Sequence, residues 1–129
     1  AAECYGVACL AQARNFDDPR SIIWGKHVTG HAKEYDYSDL TGVLDPETGN
    51  ILARKTGNWV NFGPPFYTLE YMLRDATGPD GGFHGNVGRA SSVIVDYPFI
   101  TGRSTPDSYM TGEMLVRVLQ DDKFRRYGW

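Results

Sequence analysis

Apolar residues recur at helical spacing in three segments of the chain. The first segment is residues 3–14, and the last follows Thr105-Pro106-Asp107. That tripeptide is typical of a helix start, because it combines a capping hydroxyl, a proline whose missing N–H costs nothing and a carboxylate near the positive end of the helix dipole. The middle segment, Phe66–Ala76, fits a helix with one apolar stripe, but it also fits a strand with Glu70 on one face. Periodicity favours the helix.

Short apolar runs bounded by turn residues predict strands between these helices. The runs are Ser21–Trp24, Leu40–Leu44 and Ile51–Arg54 joined as a hairpin, Asn58–Phe62, Ser91–Tyr97, and Phe99–Thr101 continuing after a bend at Pro98. Helices and strands in this order predict an α+β fold with an N-terminal helix, a central antiparallel or mixed sheet and a C-terminal helix.

Composition limits the size and the environment of this fold. A length of 129 residues with 41% apolar residues predicts a single domain over residues 1–129. No stretch approaches the about 18 uninterrupted apolar residues of a transmembrane helix, so no membrane contact is predicted. The net charge of −3 excludes a general basic surface for nucleic acid, and an RNA contact would need a local patch such as Lys123–Trp129. The oligomeric state stays open.

The chain contains two cysteines, Cys4 and Cys9. On the predicted first helix, a spacing of five residues turns their side chains about 140° apart, which excludes a disulfide within the helix. We therefore expect two small, buried, apolar side chains rather than a redox pair. A disulfide that closes a loop remains open if this segment is not helical.

Two of the three histidines, His27 and His31, lie in the segment Trp24–Tyr35, "WGKHVTGHAKEY". Their spacing would align two metal ligands on a helix, with His84 or a carboxylate as a third ligand. Gly30 and two β-branched residues lie between them and disfavour a helix. The sequence therefore predicts a loop after a strand, with no metal site and no cofactor.

The same segment carries the side chains that metal-free RNA cleavage needs. Attack by a 2′-hydroxyl requires a base, an acid for the departing 5′-oxygen and a cation for the phosphate. Histidine suits the proton transfers, and lysine or arginine suits the phosphate. The candidate catalytic residues are Lys26, His27, His31, His84 and Arg89, and the candidate binding hydroxyls are Ser104, Thr105 and Tyr109.

"GKHVTGHAKEY" resembles the Lys-His-(Ile/Val)-x-Gly-His-x-x-Tyr segment of toxin and phage ribonucleases in the barnase/EndoU/colicin/RelE superfamily. This resemblance implies a toxin-type, metal-independent endoribonuclease with RNA as its substrate. It names His27 or His31 as acid–base groups and Lys26 as the phosphate partner. It also implies an inhibitory immunity protein and secretion or delivery to a target cell.

A second stretch, Ile100–Gly112, is similar to the end of bacterial guanyl-specific ribonucleases, and Tyr67–Tyr71 is similar to their catalytic-glutamate strand. This resemblance implies Glu70 as the base and Arg89 as the phosphate clamp. It departs from the family where a histidine should follow Tyr-Thr-Gly, and it requires a strand around Glu70 and no C-terminal helix. The two assignments compete.

Two other functions fit the sequence. The acidic charge and eight tyrosines also suit a noncatalytic ligand-binding or sensory domain, or an accessory subunit of a larger complex. A nucleophilic enzyme could use Cys4 or Cys9 with His27 or His84, although no local signature surrounds either cysteine.

Overall fold

The computed structural model describes residues 1–35 and 66–121. The elements are β1 (Ala2–Glu3), a 3₁₀ helix (Cys4–Val7), α1 (Ala8–Gln12), β2 (Arg14–Asn15), β3 (Asp18–Ser21), β4 (His27–Val28), α2 (Leu69–Thr77), β5 (Gly82–Phe83), β6 (Val93–Asp96), β7 (Phe99–Gly102), a second 3₁₀ helix (Thr105–Asp107) and α3 (Ser108–Gln120). This arrangement confirms the predicted α+β fold with mixed sheets and a C-terminal helix. The predictions for Leu40–Arg54, Asn58–Phe62 and Lys123–Trp129 lie outside the described residues.

Within the described residues, the strands form three small sheets. In the largest, β7 pairs antiparallel with β6 on one side and parallel with β1 on the other. The strands β2 and β3 form an antiparallel pair, and β4 pairs in parallel with β5. The sequence predicted that the segment after Pro98 continues the preceding strand, and this prediction is wrong. The segment folds back along that strand, and Asp96 pairs with Phe99 across the turn.

The hydrophobic core lies where α1 and α2 pack beside the parallel pair β4–β5. Helix α2 begins after Thr68, so the predicted helix is confirmed, but Phe66 lies ahead of it and is fully exposed. The predicted stripe supplies Leu69 and Leu73 to the core. The buried members of the cluster are Val7, Ala11, Ile23, Val28, Ala32, Leu69, Leu73 and Phe83.

Two predictions near the N-terminus are wrong. The predicted strand Ser21–Trp24 is instead a turn that follows Ser21, the last residue of β3. The Trp24 N–H donates to the Ser21 carbonyl at 3.0 Å, and Ile23 enters the core from this turn. The first helix is divided between the 3₁₀ turn and α1, and this places Cys9 on the surface instead of in the core. No disulfide joins the two cysteines, and Cys4 is half-buried.

The 3₁₀ helix Thr105–Asp107, which leads into α3, begins one residue earlier than the helix start that the sequence indicated, and α3 itself begins at Ser108. Ser104, not Thr105, is the cap, and it forms a capping box with Asp107. The apolar stripe of α3 is only partly covered: Met114 and Val118 are half-buried, whereas others, such as Leu119, are exposed. Within residues 1–35 and 66–121, no helix has the length and apolar character needed to span a bilayer.

Candidate functional site

The parallel pairing of β4 with β5 brings His27 and His84 together. His27 is opposite Gly82, Val28 is opposite Phe83, and the His84 N–H donates to the Val28 carbonyl at 2.9 Å. Successive strand residues point to opposite faces. Val28 and Phe83 therefore enter the core, while His27 and His84 share the exposed face.

The imidazoles of His27 and His84 form what we call the histidine pair. Nδ1 of His27 lies 2.9 Å from Nε2 of His84, and the ring centroids are 5.1 Å apart with the planes tilted by 40°. At this distance one nitrogen donates and the other accepts, so a single proton lies between the rings. The pair thus presents a proton donor and a proton acceptor side by side at the surface.

Two glycines make room for this contact. A Cβ at Gly82 would lie 3.3 Å from Nδ1 of His27 and 3.5 Å from Nε2 of His84. At Gly81, a Cβ would lie 2.5 Å from the Lys26 carbonyl oxygen and 2.7 Å from that of Thr77. A side chain at Gly81 would push the loop away from β4, and one at Gly82 would crowd the histidine pair.

Asp96 of β6 fixes the strand that carries His27. Its carboxylate accepts from the His27 N–H at 2.8 Å and from Lys26 Nζ at 3.2 Å, and Lys26 also donates to the Tyr97 carbonyl at 2.7 Å. Partial burial raises the pKa of Asp96, but the bonds from His27 N–H and Lys26 outweigh it, and the net pKa is lowered. Asp96 therefore stays ionised and holds Lys26 beside the backbone of β4.

Arg74 of α2 is the cation that acts on His84. It lies over the Phe83 ring at 5.4 Å, and its Nε donates to the buried carboxylate of Glu70 at 3.0 Å. The other Glu70 oxygen accepts from the Lys33 N–H at 3.2 Å. Glu70 thus holds Arg74 in place while about half of the Arg74 side chain stays exposed.

The surroundings of His84 favour its neutral form. Desolvation by partial burial lowers its pKa most, followed by the charges of His27 and Arg74. A histidine with a lowered pKa is uncharged at neutral pH and can accept a proton. Of the two rings, His84 is therefore the better assigned to the acceptor role.

A buried polar network supports the loop after His84. Nη1 of Arg103 donates to the Asn86 carbonyl at 2.6 Å, and Nδ2 of Asn86 donates to the Ser92 hydroxyl at 2.7 Å. Asp107, fully buried, accepts from the Ser92 N–H at 2.6 Å and lies 3.4 Å from Nε of Arg103. The buried ion pair Arg103–Asp107 thus ties the loop to the start of α3.

Several predicted residues lie apart from this contact. Nδ1 of His31 is 3.5 Å from Sγ of Cys4, and its ring stacks on Tyr5. Arg89 is exposed on the turn that begins at Asn86. Among the predicted binding hydroxyls, Ser104 bonds to Asp107, whereas Thr105 and Tyr109 are exposed.

The guanyl-ribonuclease alignment does not describe this chain. It requires a strand around Glu70, but Glu70 lies in the first turn of α2. It also requires that the C-terminal segment is not a helix, whereas Ser108–Gln120 form α3. Both oxygens of Glu70 accept hydrogen bonds, one from the Lys33 N–H and the other from Arg74.

Sequence reasoning missed Asp96, Arg74 and the buried ion pair. Glu70 and Arg74 are four residues apart on a helix, so their ion pair was visible in the sequence once the helix was accepted. Asp96 carried no such signal, because its partners lie about seventy residues away.

In the part of the chain that the structure describes, no three His, Cys, Asp or Glu side chains are arranged to hold a metal ion. Comparisons with family models, curated proteins and solved structures find no significant match to this chain.

Proposed function

We propose that the chain is a metal-independent endoribonuclease whose acid–base groups are His27 and His84. The observation that carries this proposal is the 2.9 Å hydrogen-bonding contact between two exposed imidazoles. Cleavage by a 2′-hydroxyl needs one group that removes a proton and another that donates one. RNA is the proposed partner, while an inhibitory protein and delivery to a target cell rest on the resemblance alone.

The two histidines take different roles in this proposal. His84, whose pKa is lowered, is the base that removes the proton of the 2′-hydroxyl. His27 then acts as the acid that protonates the departing 5′-oxygen. The phosphodiester enters between the rings and replaces their direct hydrogen bond with one contact to each.

Arg74 is the proposed phosphate partner. Its guanidinium is anchored by Glu70 and Phe83, about half of its side chain is exposed, and its charge lowers the pKa of His84. Lys26, which the resemblance names for this role, is already bonded to Asp96 and the Tyr97 carbonyl. The proposal therefore transfers the phosphate contact from Lys26 to Arg74.

Cleavage of a single-stranded oligoribonucleotide in EDTA tests this function. We expect the wild type to cut RNA, to leave a 2′,3′-cyclic phosphate and to spare the 2′-deoxy oligonucleotide of the same sequence. His27→Asn and His84→Gln should each lower kcat/KM about a hundredfold to ten-thousandfold. The surface variant Arg117→Gln, which removes an exposed charge on α3, serves as the control.

His31→Gln separates this assignment from the alternative pair His27 and His31. If His31 were the second acid–base group, its loss would reduce cleavage as much as the loss of His84. We expect cleavage to persist. EDTA-sensitive cleavage would favour a metal mechanism, and a wild type that cuts no RNA would favour the noncatalytic binding domain.

A further inference from the structure

Cys4 and His31 form a second pair of chemically reactive side chains, separate from the histidine pair. Sγ of Cys4 lies 3.5 Å from Nδ1 of His31, at a half-buried position. Tyr5 stacks on the imidazole with a centroid distance of 4.6 Å and an interplanar angle of 23°. We call Cys4 and His31 the thiol–imidazole pair.

The fold brings these two residues together from distant parts of the sequence. Cys4 follows β1, whose Glu3 pairs with Gly102, and its φ of +52° is a left-handed conformation that non-glycine residues rarely adopt. On the other side, a Cβ at Gly30 would lie 2.9 Å from Leu73 Cδ1 and 3.5 Å from the Cys4 carbonyl oxygen. The absence of a side chain at Gly30 thus lets the chain pass close to Cys4 and place His31 on the thiol.

A thiol beside an imidazole can pass its proton to the ring nitrogen. The resulting thiolate is the nucleophilic form of cysteine, and the imidazolium stabilises it. Stacking on Tyr5 restricts the ring of His31 and keeps Nδ1 directed at the sulfur. The contact thus places a base directly beside the Cys4 thiol.

We propose that Cys4 is a modification site that undergoes thiol–disulfide exchange with low-molecular-weight disulfides, activated by His31. His31 takes the thiol proton, and the Cys4 thiolate attacks one sulfur of the disulfide. The disulfide bond of the small molecule breaks as the new bond to Cys4 forms. One half leaves as a thiolate and takes the proton from His31, so Cys4 is oxidised and the departing half is reduced.

Cys9 provides an internal comparison. It is exposed on α1, whereas Cys4 is half-buried. If access alone controlled the reaction, Cys9 would be the faster thiol. The proposal predicts the reverse order, because His31 supplies thiolate at Cys4.

The test uses glutathione disulfide as the probe, with the mixed disulfide followed by intact-protein mass at neutral pH. Cys9→Ser leaves Cys4 as the single thiol, and Cys4→Ser leaves Cys9. We expect folded Cys9→Ser to react on the order of tenfold faster than folded Cys4→Ser. We also expect it to react faster than the same Cys9→Ser protein unfolded in urea at the same pH, although unfolding exposes the thiol fully.

His31→Gln, combined with Cys9→Ser, tests the role of the imidazole. We expect Cys4 in this folded double variant to react no faster than Cys4 in the same double variant unfolded in urea. An equal rate with and without His31 would overturn the proposal. If the glutamine variant does not fold, the comparison of folded with unfolded Cys9→Ser still decides: a folded rate equal to or below the unfolded rate would also overturn it.

Discussion

His84 shows how a few neighbours give one exposed histidine a distinct acid–base behaviour. Its backbone is fixed by the bond to the Val28 carbonyl, and its ring is fixed by His27. Burial and two neighbouring positive charges then lower its pKa. A surface histidine without these neighbours would have an ordinary pKa. As the pH falls, it would therefore become protonated, and stop acting as a base, at a higher pH than His84 does.

The charge of Arg74 makes a testable contribution to this shift. Arg74→Gln removes a cation that disfavours the imidazolium, so the pKa of His84 should rise. Because the base works only when neutral, the acidic limb of the pH–rate profile should move to higher pH. NMR titration of the His84 ring without RNA measures the shift directly.

Arg74→Lys is the matched control, since it keeps the positive charge. Its His84 titration should stay closer to that of the wild type than that of Arg74→Gln. An unchanged or lowered pKa in Arg74→Gln would contradict the electrostatic account of this histidine.

At the scale of elements, the pairing of β4 with β5 decides which residues meet. Each strand has only two residues, so neither carries an apolar–polar period that the sequence could reveal. The pairing instead depends on Gly81, where the chain passes close to the backbone of Lys26. Short strands of this kind are defined by close packing rather than by propensity.

Gly81→Ala should destabilise the fold by about 1–3 kcal/mol, because its methyl group would overlap backbone atoms of Lys26 and Thr77. Gly112→Ala is the control in α3, where an added Cβ meets nothing within 4 Å. That variant should be neutral or gain up to about 1 kcal/mol from helix propensity. Urea unfolding measures both, and similar stabilities for the two variants would contradict the close approach at Gly81.

The predictable elements are those with a local signal. Val93–Asp96 has a continuous strand-forming run, Leu69 and Leu73 have helical spacing, and Pro106 with Asp107 marks the helical start that leads into α3. The contact of His27 with His84 joins residues 57 positions apart, through a parallel pairing that no local pattern encodes. The sequence thus supplied the reactive residues but not which of them converge.

At the scale of the whole molecule, the buried ion pair Arg103–Asp107 connects the site to the rest of the fold. It joins the loop that follows His84, through Asn86, to Ser92 and the start of α3. Both charged side chains are almost completely buried, at 3% and 0% exposure, so neither charge is compensated by water.

Asp107→Asn should therefore cost about 3–5 kcal/mol of unfolding free energy, because it leaves the Arg103 guanidinium buried without its counter-charge. Arg117→Gln breaks the exposed pair with Glu113 and should change stability by less than about 1 kcal/mol. Equilibrium urea unfolding of both proteins makes the comparison. Equal losses of unfolding free energy in the two variants would contradict the expected cost of leaving Arg103 buried without a counter-charge.

The most direct test of the central claim is a double-variant cycle on RNA cleavage. We would measure kcat/KM for the wild type, His27→Asn, His84→Gln and the double variant in EDTA. If the two histidines act as one acid–base unit, each single loss removes most of the catalysis, and the double variant is about as slow as the slower single variant. The claim would be contradicted if the fold-loss of kcat/KM in the double variant equalled the product of the two single fold-losses. It would also be contradicted if the wild type did not cleave RNA.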